Sequence, residues 1–116
     1  MANSVAYEWP ITGAVAPTAA QSRTHQMISA VVTGDGATTT VTITHNWNIP
    51  TVQVNNGPYT GPMPEVYFES LLAAGYTAAP LITNVNKTAN AVTLTVTAFT
   101  GAGLRVRLKR PYSAEL

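Results

Sequence analysis

The fold class the sequence predicts is all-β: a small antiparallel β-sandwich or barrel with an extended N-terminal arm. Three observations predict it. Short segments alternate strictly between apolar residues and Thr, the period-two signature of half-buried strands. Gly- and Pro-rich turns separate these segments at intervals of roughly 8–12 residues, as in sandwiches and small barrels. No helical pattern is long enough to serve as the crossover of a parallel α/β sheet. The chain of 116 residues fits one ordinary domain of about 100–150 residues.

Residues 1–26 read as the arm and 27–116 as the β domain. The arm mixes Val5, Tyr7, Trp9, Ile11 and Val15 without a sustained period. Pro10 and Pro17 fix their own φ and push the preceding residues toward extended geometry. An arm with such side chains is poorly suited to lie free in water, so it packs either on its own domain or on a neighbour.

From Met27 onward strand signals dominate. Ile28–Thr33 is a β-branched run ended by the turn signal Gly34-Asp35-Gly36. In Thr39–Trp47, Val41, Ile43, His45 and Trp47 share one face and Thr40, Thr42, Thr44 and Asn46 the other, which predicts a hairpin with the preceding run. Thr51–Val54 is a further short strand, followed by loop punctuation at Asn55-Asn56-Gly57-Pro58 and Thr60-Gly61-Pro62. Glu65–Phe68 reads as strand, with Val66 and Phe68 on one face. Glu69–Ala74 is the one helix-favouring patch, closed by Gly75. Leu81–Val85 is a strand ended by Asn86-Lys87. In Ala91–Ala98 the inward residues are Val92, Leu94, Val96 and Ala98. A turn at Gly101-Ala102-Gly103 and the run Leu104–Lys109 predict a second hairpin, with Leu104, Val106 and Leu108 toward the core. Pro111 stops the last strand.

Composition bounds the function. Hydrophobic residues make up 46% of the chain and charged residues only 9%, against a usual charged share of about 25%. A freely dissolved protein keeps a charged, patch-free surface. A surface of Thr, Asn, Ala and Gly suits a protein packed against neighbours. The net charge of +1 gives no general attraction for nucleic acid or anionic lipid. The chain has no cysteine, which excludes disulfides and thiolate metal sites but leaves the compartment open. Met-Ala-Asn-Ser lacks a basic region followed by an apolar run, so no signal peptide is expected. Nothing approaches the roughly 20 apolar residues that span a bilayer. No membrane partner follows, and the chain reads as made in a cytoplasm.

Catalysis is not supported. The acids are Glu8, Asp35, Glu65, Glu69 and Glu115, and the histidines His25 and His45. A nucleophilic triad needs a base oriented by a carboxylate, yet the single Asp sits in a turn that favours Asp for backbone reasons. His45 lies on an apolar face with Trp47 and reads as a core or edge histidine. Neither histidine has a second ligand at metal spacing. Glu65 and Glu69 would meet as a glycosidase-like dyad only on a helix. No phosphate-binding loop is visible. No catalytic residue, metal ligand or cofactor is therefore assigned.

One charge feature stands out. Arg105, Arg107, Lys109 and Arg110 are four of the six basic residues, and the first three project from one face of the last strand. Cations on such a strand guard an exposed sheet edge or dock an acidic protein surface. Nucleic acid fits poorly, because the stripe has little aromatic interleaving. The candidate partner-binding residues are thus Tyr7, Trp9 and Ile11 of the arm with Arg105, Arg107 and Lys109.

Three segments carry a family resemblance: Val41-Thr42-Ile43-Thr44-His45-Asn46, Ala91-Val92-Thr93-Leu94-Thr95-Val96-Thr97, and Leu104-Arg105-Val106-Arg107-Leu108-Lys109-Arg110-Pro111. Over about residues 27–112 the chain resembles the small β proteins of tailed-bacteriophage virions, many of which decorate or cement the capsid. The resemblance rests on pattern and not on a diagnostic motif. It implies a capsid decoration (cement) protein located in the virion, binding the major capsid protein or other virion proteins, often as a homo-oligomer. Tail, baseplate and fibre components share the architecture. A reading from another class is a carbohydrate- or receptor-binding module that stacks ligands on Trp9, Trp47, Tyr59 and Tyr67, with the Asn55–Gly61 loop shaping its site.

Overall fold

The computed structural model describes residues 3–49, 51–54, 57–60, 64–71 and 80–110. Its elements in chain order are β1 (Ser4–Trp9), α1 (Ala19–Arg23), β2 (Met27–Asp35), β3 (Thr40–Thr44), β4 (Thr51–Val54), β5 (Gly57–Thr60), β6 (Glu65–Ser70), β7 (Ile82–Lys87), β8 (Ala91–Val96) and β9 (Thr100–Lys109). A four-stranded antiparallel sheet, β1-β2-β9-β6, packs against a three-stranded antiparallel sheet, β3-β8-β7. The arrangement is mostly β and consistent with a β-sandwich. Strands β4 and β5 pair as a separate two-stranded sheet.

Alternation builds the core as the sequence predicts. Val41, Ile43, Val92, Leu94, Val96, Leu104, Val106 and Leu108 are buried, while the intervening Thr residues of β3 and β8 lie on the other side. Ile28, Ala30 and Val32 of β2 join them. Each large side chain so buried contributes about 1.5–3 kcal/mol in transfer terms. Ala98 departs from the pattern. Strand β8 ends at Val96, and the chain turns so that Phe99 is buried and Ala98 exposed.

Neither expected hairpin forms. β2 pairs with β1 and β9, and β3 with β8, so Gly34-Asp35-Gly36 carries the chain from one sheet to the other. The segment after Val96 crosses back in the same way, because β8 and β9 also belong to different sheets. The two crossings lie against each other. Val96 N–H donates to the Thr39 carbonyl at 2.8 Å, and Gly36 N–H to the Phe99 carbonyl at 2.8 Å. A Cβ on Gly34 would overlap the Phe99 carbonyl, so only glycine permits the approach. Asp35 holds the corner, accepting from the N–H groups of Ala37 at 2.9 Å and Thr38 at 2.7 Å. Those bonds, led by the Thr38 hydroxyl, hold its carboxyl down at about 2.

The segment expected as an arm lies on the body of the domain. Ser4–Trp9 pairs with β2, and Tyr7 is buried in the core. The Tyr7 hydroxyl accepts the Thr44 N–H at 2.9 Å, tying the first strand to the second sheet. The chain then doubles back, with Tyr7 and Gly13 exchanging backbone hydrogen bonds of 2.7 and 3.0 Å. Within the stretch read as wholly extended stands α1. Thr18 caps it, taking the Gln21 N–H at 3.3 Å, while Gln21 Oε1 accepts the Thr18 N–H at 2.8 Å.

Two further expectations shift. Gly57–Thr60, read as loop, is the strand β5. Glu69 and Ser70, read as the start of a helix, continue β6, because they extend its ladder with Arg105 and Leu104 of β9. The remaining helix positions 72–74, the closing Gly75, and Asn55, Asn56, Gly61, Pro62 and Pro111 lie outside the described residues.

Candidate functional site

The basic residues singled out in the sequence sit on β9, which is an interior strand flanked by β2 and β6. They therefore do not guard an edge. Arg105, Arg107 and Lys109 project from the outer face of the four-stranded sheet, opposite the face that carries Leu104, Val106 and Leu108. Register aligns that outer face in rows. Trp9, Ser29, Arg107 and Tyr67 form one row across all four strands. Met27, Lys109 and Glu65 form the next, and Val31, Arg105 and Glu69 the one on the other side.

A β-bulge explains how β1 contributes. Tyr7 pairs with Ala30 and Trp9 with Ser29, so two residues on β1 face one step on β2. The extra residue places Glu8 as well as Trp9 on the outer side. Glu8 accepts from the Ser29 hydroxyl at 2.9 Å and from Arg105 at Nε (2.9 Å) and Nη2 (3.2 Å). Arg105 Nη1 reaches Glu69 at 2.9 Å, and Arg107 reaches the same oxygen at 3.4 Å.

These pairs set the electrostatics. The Arg105 guanidinium holds the Glu8 carboxyl below the usual range against a smaller desolvation effect. The two carboxylates in turn raise the Arg105 pKa, Glu8 foremost. Tyr67 donates its hydroxyl to Glu65, which raises the phenol pKa. The face thus combines three carboxylates (Glu8, Glu65, Glu69) with three cations (Arg105, Arg107, Lys109) and is neutral in sum. It is a mosaic and not a basic stripe. Arg105 is occupied within the chain, whereas Lys109 makes no ion pair among the described residues.

Large apolar side chains frame the mosaic. Trp9 is 52% exposed, Tyr67 51% and Met27 42%. The Trp9 ring meets His25 edge-on at 5.3 Å. His25 is fixed by the Gln21 carbonyl at 2.9 Å and the Thr24 hydroxyl at 3.0 Å. Of the sequence candidates, Trp9, Arg105, Arg107 and Lys109 meet on this one face. Tyr7 does not, being a core residue, and Ile11 is half-buried beyond the strand. Tyr67, expected only as a stacking surface of the carbohydrate-binding reading, joins them, and Met27 and the three carboxylates were not among the candidates. The alternation of β6 could have shown that Glu65, Tyr67 and Glu69 share a side, but nothing in the sequence says that β6 lies beside β9.

The opposite outer surface differs in kind. Rows Thr42–Thr93–Asn86 and Thr40–Thr95–Asn84 cover the three-stranded sheet with uncharged groups.

A second cluster lies inside. His45 is fully buried and stacks on Trp47, with ring centroids 4.7 Å apart. Its Nδ1 accepts the Trp47 N–H at 3.1 Å, which places the imidazole proton on Nε2. Burial pulls its pKa down to about 4, opposed weakly by the Thr88 carbonyl. Trp47 is 1% exposed and cannot stack a sugar. Its indole Nε1 donates to the Ser22 carbonyl at 2.9 Å, and the Arg110 guanidinium lies 6.0 Å from its ring centre. Tyr59 lies on β5, its side chain outside the described residues.

Among the described residues no group of three or more His, Asp or Glu side chains could hold a metal ion, and no helix is long and apolar enough to cross a membrane. Comparison of the chain with protein-family models, curated proteins and solved structures returns no match.

Proposed function

We propose that this chain is a non-catalytic structural protein of a bacteriophage virion, of the decoration type, and that it docks on a capsid or other virion protein through the outer face of the four-stranded sheet. The observation that carries the docking face is the row Trp9–Ser29–Arg107–Tyr67 with Met27 beside it. Trp, Tyr, Met and Arg are the side chains enriched at protein interfaces, and Trp, Tyr and Arg dominate their energetics. The surrounding ion pairs are already satisfied within the chain, so covering the face strands few unpaired charges. The virion assignment itself rests on the sequence resemblance and the low charge of the chain. The N-terminal segment takes part through Trp9, presented from the body, and a tail, baseplate or fibre location fits the same face.

The test is co-sedimentation of the purified chain with capsids of the phage that encodes it, alongside a Trp9→Ala/Tyr67→Ala double variant. Both side chains are half exposed, so the variant should stay folded by circular dichroism. Binding by the parent and at least a tenfold loss in the variant is the expected result. No association of the parent with any virion component overturns the assignment. Equal binding by both chains moves the docking face elsewhere.

A further inference from the structure

The segment between β1 and β2 is tied to the body by the buried Pro17 and by polar bonds, several of which converge on the turn that follows β3. Asn46 Nδ2 donates to the Pro17 carbonyl at 2.8 Å, and Trp47 Nε1 to the Ser22 carbonyl at 2.9 Å. Arg110 adds two more, through Nη1 to the Arg23 carbonyl at 3.2 Å and its own N–H to the Gln26 carbonyl at 2.8 Å. The turn is an unusual backbone. Asn46 and Asn48 both adopt left-handed φ, at 56° and 53°, a conformation that Asn tolerates better than most residues.

His45 sits at the root of this turn with its chemistry constrained on every side. Its Nδ1 must stay an acceptor for the Trp47 N–H, and Nε2 makes no well-formed hydrogen bond. Protonation would set two N–H donors against each other at Nδ1. It would also place a charge in a fully buried ring. A cation, Arg110, already lies over the same indole. No described carboxylate offers compensation. Glu8 is engaged by Arg105 and Ser29, Glu69 by Arg105 and Arg107, Glu65 by the Tyr67 hydroxyl, and Asp35 by its own corner. From α1 and its flank the ionisable groups are Arg23, which is exposed, and His25, which faces Trp9. From the β7–β8 turn there is Lys87, also exposed.

We infer that His45 is an acid-sensitive latch: its protonation unseats Trp47 and releases the Pro17–Gln26 segment while the two sheets remain paired. The sheets are spared because the β1–β2, β2–β9 and β3–β8 ladders use none of residues 17–26, although the segment and the latch do meet them at two points, Trp9 on His25 and the Tyr7 hydroxyl on Thr44. The sign follows from linkage. The folded imidazole resists protonation down to about 4, whereas a freed histidine titrates near 6.5. The closed form therefore holds fully above about pH 6.5 and weakens tenfold per pH unit as the pH falls toward 4. Over that window opening rises roughly 80-fold.

NMR on the full chain tests this in two ways. The His45 ring resonances should report a neutral imidazole, protonated at Nε2, at pH 5.5. A ring titrating near 6.5 overturns the inference, and this reading needs no variant. Hydrogen exchange of the Trp47 indole, corrected for its intrinsic rate, should then accelerate about 80-fold between pH 6.5 and 4. At each pH it should run at least tenfold faster than exchange of the Leu94 and Val106 amides. His45→Asn, which keeps an acceptor but cannot be protonated, should abolish the pH slope, while His25→Asn should retain it. Equal protection of the indole and the sheet amides would show global unfolding and not a latch. A slope that survives in His45→Asn assigns the effect to another group.

Discussion

Tyr7 gives the sharpest check on how the N-terminal segment is built into the fold. Its ring is 4% exposed within the core, and its hydroxyl accepts the Thr44 N–H across the sandwich. Two substitutions separate these roles. Tyr7→Phe keeps nearly all the packing and leaves the Thr44 N–H without its acceptor, a loss of about 1–3 kcal/mol for a donor sheltered from water. Tyr7→Ala also removes the ring, and truncation of a buried aromatic costs about 3–5 kcal/mol, the cavity it leaves included. Urea unfolding at pH 7, followed by circular dichroism, measures both. With a slope of about 1–3 kcal/mol per molar urea for a small domain, the Phe variant should unfold roughly 1 M earlier. The Ala variant should unfold earlier still or fail to fold. A Phe variant within about 0.3 kcal/mol of the parent would mean that water satisfies the Thr44 amide. An Ala variant losing less than about 1 kcal/mol would mean that β1 is not part of the core.

Two more predictions follow from the crossing between sheets. Gly34→Ala forces a methyl into the Phe99 carbonyl, and since the obstruction is backbone the cost should reach about 3 kcal/mol or more, read as a lowered urea midpoint. A Gly34→Ala variant as stable as the parent would show that the two crossings do not touch. Asp35, held at about 2 from an ordinary 3.8, contributes stability that is present above pH 3.8 and lost as the pH falls toward 2. Asp35→Asn should reduce the stability change between pH 4 and 2, leaving the part that Glu8 contributes through Arg105, and should leave that between pH 6.5 and 4, which belongs to His45. Loss of both pH dependences in the Asn variant would contradict this separation.

The sequence made the faces legible but not the neighbours. Period-two alternation assigns Val41, Leu94 or Val106 to a buried side whichever strand lies next to it, so the core is readable residue by residue. Strand pairing is a different matter. Gly34-Asp35-Gly36 suits a tight hairpin and a corner between sheets equally well, and only the packing of Gly34 on Phe99 decides between them. The same ignorance of neighbours turned Arg105, Arg107 and Lys109 into an apparent basic stripe, since their compensating carboxylates come from β1 and β6. The short helix α1 did leave a local trace. Thr18 and Gln21 stand at capping-box spacing, a pattern overlooked because the prolines before it argued for extended chain. The burial of His45 was readable from its place beside Trp47, whereas its role at the root of a left-handed turn was not.

The doubling back of the chain at Gly13 bears on how copies of this protein could add to one another. Gly13 occupies the outward N–H and carbonyl of Tyr7, so the free side of β1 is already engaged at its centre. Across the sandwich, Tyr7 takes the outward Thr44 N–H of β3, and Asn3 donates to the Thr40 carbonyl at 3.1 Å. One flank of the molecule is thereby sealed by the first residues of its own chain. The strands at the other flank, β6 and β7, have no further strand partner among the described residues. A ribbon needs two open flanks per unit, one to receive and one to offer. With at most one, strand addition between copies goes no further than a pair, and the N-terminal residues act as the terminator.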